Sequence, residues 1–95
     1  MNTISNRAQM RLSLACTHAI ESLSRTEYLS SASYVTESYK VTVSRSALAD
    51  NAYKVVLSYN RFTIGEVVYM HDKDDSRYKT LEMARNMIDE MIADY

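Results

Sequence analysis

The chain has very few of the residues that cross-link or bend a backbone: one cysteine, one glycine, no proline and no tryptophan among 95 residues. The single cysteine, Cys16, excludes an internal disulfide and a zinc site built from several cysteines. The single glycine, Gly65, excludes glycine-rich phosphate loops and the strained nucleophile turn of many hydrolases. No stretch approaches the roughly 18 apolar residues of a membrane span, and the N-terminus lacks a signal-peptide pattern. These absences predict a protein of the reducing cytoplasm, without membrane contact and without a cofactor.

The composition indicates one small folded domain that spans residues 1–95. Hydrophobic residues make up 46% of the chain, and 11 Lys and Arg face 12 Asp and Glu, for a formal net charge of −1. A chain of this size supports a modest core with little room for a deep pocket. Its charge gives no bulk attraction to nucleic acid or anionic lipid, so such binding would need a local patch.

Two amphipathic helices are predicted, one at each end of the chain. Apolar residues recur every three or four positions in both, which is the stripe of a helix with one buried face. The first stripe comprises Ile4, Ala8, Leu12, Ala15, Ala19 and Leu23, and the second comprises Leu81, Ala84, Ile88, Met91, Ile92 and Tyr95. Ser5 or Asn6 would cap the first helix. Asp74, Asp75 or Ser76 would cap the second.

Between the helices the apolar period changes to two, which predicts strands. The alternation covers 39–44, 53–59 and 62–70, and Asn60-Arg61 is suited to a two-residue hairpin turn. Residues 24–38 read as a connection plus a short edge strand, and 46–51 as a loop or one helical turn. The predicted fold class is α+β in two layers: a helix, a three- to four-stranded antiparallel sheet and a helix, with both helices on one sheet face.

Two candidate catalytic side chains have plainer structural interpretations. Cys16 and His18 point to different sides of a helix, so they cannot form a Cys-His pair. Glu66 falls in the inward-facing set of its strand and would there be a buried catalytic carboxylate. A bulge at Gly65 that turns Glu66 outward is the interpretation we favour.

The polar run after the last strand raises the question of a metal site. His71 precedes Asp72, Asp74 and Asp75, and closely spaced carboxylates can hold a hard cation. The run lacks the glycine and glutamate that an EF-hand loop requires, so we favour a solvated turn that caps the last helix. We therefore predict no metal site, no catalytic residue and no enzymatic activity.

The candidate contact residues are charged or aromatic. A helix advances 100° per residue, which places one row of cations along a single flank of the first helix. This row is Arg7, Arg11, His18 and Arg25, and it is either a contact surface or the solvated side of the helix. The acidic outer flank of the last helix carries Glu82, Asp89 and Glu90. Tyr69 is expected to be exposed on the uncovered sheet face beside Val67, Lys40, Lys54 and Thr42, in a polar-aromatic patch.

The order of elements resembles the double-stranded-RNA-binding domain. The matching residues are Arg7, Arg11 and His18 on the first helix, and Ser76-Arg77-Tyr78-Lys79 at the start of the last one. The resemblance implies contact with phosphates and the minor groove through these two regions. This chain departs from the family pattern in carrying Asp72, Asp74 and Asp75 where that family has a lysine-rich start, and these carboxylates would repel a phosphate backbone.

The chain as a whole is also similar in type to the small phage-encoded anti-CRISPR proteins, which are single compact domains without catalytic residues. This resemblance covers the whole chain, carries no motif and implies a protein that occludes a surface of a CRISPR effector complex. We therefore expect a non-enzymatic, phage-type inhibitor that blocks a host defence protein or nucleoprotein complex, present as a monomer or homodimer. The alternative expectation is a nucleic-acid-binding module of the double-stranded-RNA type.

Overall fold

Two helices flank a four-stranded antiparallel sheet in the order helix, four strands, helix. The computed structural model describes residues 4–72, 74 and 76–93. The elements are α1 (Asn6–Arg25), β1 (Ser31–Thr36), β2 (Tyr39–Arg45), β3 (Ala52–Tyr59), β4 (Phe62–Met70) and α2 (Arg77–Ala93). The strands lie in the order β1-β2-β3-β4, so β1 and β4 are the edges. The predicted α+β class is confirmed, and the sheet has four strands.

Serine residues begin both helices. The Ser5 hydroxyl accepts the amide of Ala8 at 3.1 Å, and the Ser76 hydroxyl accepts the amide of Lys79 at 3.2 Å. Each bond satisfies one of the amides that have no partner inside the helix. Of the residues that the sequence offers as helix caps, Ser5 and Ser76 are therefore the ones used. Asp75, another candidate cap, and Tyr95, of the second apolar stripe, lie outside the described residues.

Both outer hairpins turn over two residues with positive φ. Asn60 and Arg61 have φ of 47° and 77°, as the sequence predicts for this hairpin. Glu37 and Ser38 have φ of 50° and 69° and make the same kind of turn between β1 and β2. Two positive φ values give the turn whose twist matches a hairpin. Residues 31–36 thus form the expected edge strand, and 46–51 is a loop of turns.

Both helices cover the same face of the sheet. The inner-face residues of the strands and the apolar stripes of the helices form one core cluster. It comprises Leu12, Cys16, Ala19, Ile20 and Leu23 of α1, Ala84, Ile88 and Met91 of α2, and Tyr39, Val41, Val43, Tyr53, Val55, Leu57 and Tyr69 of the sheet. The helices run antiparallel, since Gln9 contacts Asp89 and His18 contacts Arg77.

A bulge in β4 reverses the faces that simple alternation predicts for this strand. Leu57 pairs with Gly65 and Ser58 pairs with Thr63, so Ile64 is an extra residue. One extra residue inverts the side on which every later side chain lies.

Tyr69 is therefore only 4% exposed and belongs to the core, so its predicted exposure is wrong. Val67 also packs against the core rather than on the uncovered face. Glu66 turns to the open face, as the favoured interpretation of the bulge expects, and its carboxylate lies 3.3 Å from the ammonium group of Lys54.

Candidate functional site

All four basic side chains predicted on the flank of α1 are exposed, and we call Arg7, Arg11, His18 and Arg25 the basic ridge. Among the described residues, no carboxylate lies within ion-pair distance of Arg7, Arg11 or Arg25. Their charges are therefore not neutralised within this part of the molecule. An exposed row of cations raises the local positive potential although the whole chain is slightly acidic.

Arg77, the first residue of α2, extends the basic ridge across the two helices. Its Nη2 lies 2.8 Å from Nε2 of His18. A guanidinium group has only donors, so the histidine nitrogen is the acceptor in this contact. The pair brings together the flank of α1 and the start of α2, two regions that are 59 positions apart in the chain.

The predicted acidic residues lie on the exposed surface of α2. Glu82, Asp89 and Glu90 are all exposed. The Asp89 carboxylate accepts a hydrogen bond from the side-chain amide of Gln9, so this residue also links the two helices. The structure thus places an acidic and a basic surface on neighbouring helices of one layer.

The open sheet face does not carry the exposed polar-aromatic patch that the sequence predicts around Tyr69. Because Tyr69 and Val67 face the helices, the polar-aromatic patch predicted around them is not formed. The face instead presents the Lys54–Glu66 ion pair on the same side of β4 as Val68 and Met70, which are 40% and 51% exposed.

A hollow lies between α1 and β1, and the sequence does not predict it. Its volume is about 270 Å³, and it continues into a second depression toward Arg11 and Leu14. Its lining comes from Ala15, His18, Ala19 and Ser22 of α1, Ala32, Ser33 and Tyr34 of β1, and Val41 and Val43 of β2. Small side chains of α1 and β1 face each other across the hollow. They come together only because the helix packs on a strand that is distant in the sequence. The alanine-rich stripe of α1 is the only signal of it in the sequence.

The remaining polar candidates from the sequence are Cys16, His71 and Asp72. Cys16 is fully buried, and burial raises the pKa of its thiol from 9.0 to about 12, so the reactive thiolate is suppressed. His71 is buried with its ring 6.3 Å from that of Tyr53 and 6.1 Å from that of Tyr69. Asp72 accepts the amide of Asp74 at 2.9 Å in an exposed turn.

The described residues form neither a metal-binding cluster nor a membrane-spanning helix. Within 4–72, 74 and 76–93, no three His, Cys, Asp or Glu side chains are grouped so that they could hold a metal ion. Neither of the two helices, as far as it is described, combines the length and the apolar character that crossing a membrane requires.

No family model, no curated protein and no solved structure matches this chain.

Proposed function

We propose that the protein is a non-enzymatic binding protein that docks through the basic ridge on an acidic surface of a larger assembly and blocks it sterically. The observation that carries the proposal is the exposed basic ridge on α1, whose three arginines make no ion pair among the described residues. Charge complementarity speeds encounter and selects partners, and an unneutralised row is suited to that role.

The class of target follows from the resemblance in type to anti-CRISPR proteins. On that basis the assembly is a CRISPR effector, either its protein subunits or the nucleoprotein complex, in the cytoplasm of a bacterial host. A small single domain with an exposed charged flank is suited to occlusion, because occlusion needs contact area and no reacting group.

The test is affinity capture by the tagged protein from a bacterial lysate that contains a CRISPR effector complex, with and without nuclease, read by mass spectrometry. We expect effector subunits in both samples. The variant Arg7→Glu with Arg11→Glu should capture about tenfold less, because it reverses two charges of the contact. Recovery of no effector subunit would contradict the target class.

A matched control separates this contact from net charge. Arg61→Glu with Arg85→Glu makes the same change in net charge at exposed positions outside the basic ridge. Equal capture by the two double variants, with unchanged circular dichroism, would remove the basic ridge from the contact.

A nucleic-acid-binding module is the second candidate, and the contact between His18 and Arg77 favours it. That contact joins the two regions through which the double-stranded-RNA-binding domain, by resemblance, meets its ligand. Exposed Asp72 and Asp74 near the start of α2 oppose it, because they would repel phosphates. Binding to a double-stranded RNA should fall steeply with salt, by about 0.9 of a log unit in affinity per log unit of salt for each phosphate contacted. Capture that disappears after nuclease treatment would favour this candidate over a protein surface.

A further inference from the structure

The two edges of the sheet differ in how open they are to another strand. Edge strands are commonly protected by charged residues, proline or a bulge. β4 has a bulge at Ile64 and carries Glu66. β1 has the sequence Ser-Ala-Ser-Tyr-Val-Thr, with neither charge nor proline, and all six residues pair in regular register with β2. β1 is therefore the unprotected edge.

The hydrogen-bond pattern shows which groups of β1 face outward. The amide of Arg45 donates to the carbonyl of Ser30, and the two residues flanking the turn, Thr36 and Tyr39, are paired. Hydrogen-bonded and non-bonded pairs alternate along an antiparallel ladder. Ala32, Tyr34 and Thr36 thus direct their backbone groups to β2, whereas those of Ser31, Ser33 and Val35 point away from the sheet. These outward groups match the spacing of a further strand.

The hollow described above lies on the helix side of this same edge. Ala32 and Tyr34 line it from β1, and Ala15, Ala19 and His18 line it from α1. In a strand added to β1, alternate side chains would point toward α1 and so into the hollow. A volume of about 270 Å³ accommodates a side chain of the size of leucine or phenylalanine.

The charges around the hollow select the occupant. Arg11 and His18 line the continuation of the hollow, and Arg11 has no counter-charge among the described residues. We propose that β1 accepts an extended, acidic segment of a partner protein as a fifth strand, with one apolar side chain of that segment seated in the hollow beside α1. The acidic character of the segment rests on the function proposed above, whereas the backbone pairing rests on β1 alone.

A second copy of the chain is a poorer occupant of the same edge. Pairing of β1 with β1 would bring the α1 helices of two copies side by side over one continuous sheet. The two basic ridges would then face each other, and like charges at an interface oppose association. An acidic partner carries charge opposite to that of the basic ridge, so its association is favoured.

The test uses two synthetic peptides and two variants of the full chain. The peptide Thr-Asp-Thr-Leu-Thr-Asp-Thr places its aspartates and its leucine on one face of a strand. The control peptide has lysine in place of both aspartates. Ser33→Pro removes one outward amide and places a ring against the incoming strand, while β1 keeps its bonds to β2. Ser33→Ala keeps the amide and is the matched control.

We expect the acidic peptide to shift the amide resonances of Ser31, Ser33 and Val35 in two-dimensional NMR spectra. It should bind about tenfold more tightly than the lysine peptide. Ser33→Pro should weaken binding by about tenfold or more, and Ser33→Ala, which keeps the backbone amide, should weaken it far less. If Ser33→Pro fails to fold, Ser31→Pro replaces it, because proline is tolerated at the first residue of a strand.

Three results would overturn the proposal: no shifts in β1 at millimolar peptide, equal binding of both peptides, or binding that survives the proline variant. A mass near twice 10.9 kDa that Ser33→Pro abolishes would make a second copy the occupant and would also overturn it. The capture experiment is independent of these results. If the peptide does not bind but capture is intact, the basic ridge remains as the contact. If the peptide binds but capture fails, the β1 edge remains as a binding site and the proposed role of the basic ridge is lost.

Discussion

At the scale of single residues, Arg45 satisfies backbone carbonyls at the end of α1, where no glycine is present. Helices commonly end on a glycine that allows their last carbonyls to be satisfied, and α1 has none. The Arg45 guanidinium donates instead to the carbonyls of Leu23 and Thr26 through Nη2, and to that of Leu29 through Nε at 3.3 Å. A cation at this end of a helix also meets the negative end of its dipole. The side chain thus ties the end of α1 to the end of β2.

We expect Arg45→Ala to lower the free energy of unfolding by about 1 to 2 kcal/mol, because three carbonyl contacts and a helix-end charge are lost. Urea denaturation followed by circular dichroism measures it. Arg25→Ala is the control, since it removes the same charge from an exposed side chain in the last turn of the same helix. Equal effects of the two variants would mean that only charge, and not the carbonyl contacts, matters.

Cys16 makes stability depend on pH in the alkaline range. Burial raises the pKa of its thiol from 9.0 to about 12, so the folded protein holds this proton after the unfolded chain has lost it. Its contribution is complete below pH 9 and is lost progressively as the pH rises toward 12, at about 1.4 kcal/mol per pH unit.

The comparison that isolates this effect is with Cys16→Ala. Tyrosines and lysines titrate in both proteins and cancel in the difference. Between pH 8 and pH 10.5 we expect the wild type to lose about 2 kcal/mol more than the variant. Urea denaturation at the two pH values measures this difference, and parallel losses would show that the thiol ionises freely in the folded protein.

At the scale of the elements, Gly65 fixes how closely α2 lies on β4. Its φ is not positive, so glycine is required here by space and not by backbone conformation. A Cβ at this position would lie 2.7 Å from Cγ and 3.0 Å from Cβ of Met91. The Cβ of Met91 cannot swing aside without moving the helix, so α2 would have to shift.

Gly65→Ala should therefore destabilise the fold by about 1 to 3 kcal/mol, despite the entropy that alanine removes from the unfolded chain. Met91→Ala removes Cγ, the nearest clashing atom, and keeps Cβ, so it relieves part of the clash. The double variant should therefore lose less stability than the two single variants together. A double-mutant cycle in urea measures the coupling. Strict additivity would show that strain against Met91 is not the cause.

The helices, the strands and the turns differ in how far the sequence predicts them. The helices and the Asn60-Arg61 hairpin follow from local patterns, namely a period of 3.6 and a residue type that tolerates positive φ. The faces of β4 do not, because one inserted residue inverts them and alternation alone has no marker for Ile64. The sequence does not predict the Glu37-Ser38 turn, because neither residue type is typical of such turns.

The parts of the candidate site also differ in how far the sequence predicts them. The basic ridge depends on positions within one helix, so a fixed 100° advance is enough to predict it. The contact of His18 with Arg77 and the hollow beside Ala32 depend on which elements pack together. Such contacts join distant positions, and no local pattern in this chain encodes them.

At the scale of the whole molecule, neither layer has a core of its own. The helices bury their stripes only against the sheet and each other, and the sheet is open on its other face. A chain of this length has a free energy of unfolding of about 5 to 14 kcal/mol. Loss of either helix would expose much of the single core, so we expect cooperative, two-state unfolding.

Two spectroscopic signals test this, because each is dominated by one layer. Far-ultraviolet circular dichroism follows mainly the helices. Tyrosine fluorescence changes on unfolding mainly through Tyr39, Tyr53 and Tyr69, which are the tyrosines buried in the sheet. The chain has no tryptophan to obscure the tyrosine signal. The midpoints of the two curves in urea should coincide, and Gly65→Ala should move both to lower urea by the same amount. Earlier loss of the helical signal would show that α2 separates from β4 before the sheet unfolds, which contradicts a single cooperative core.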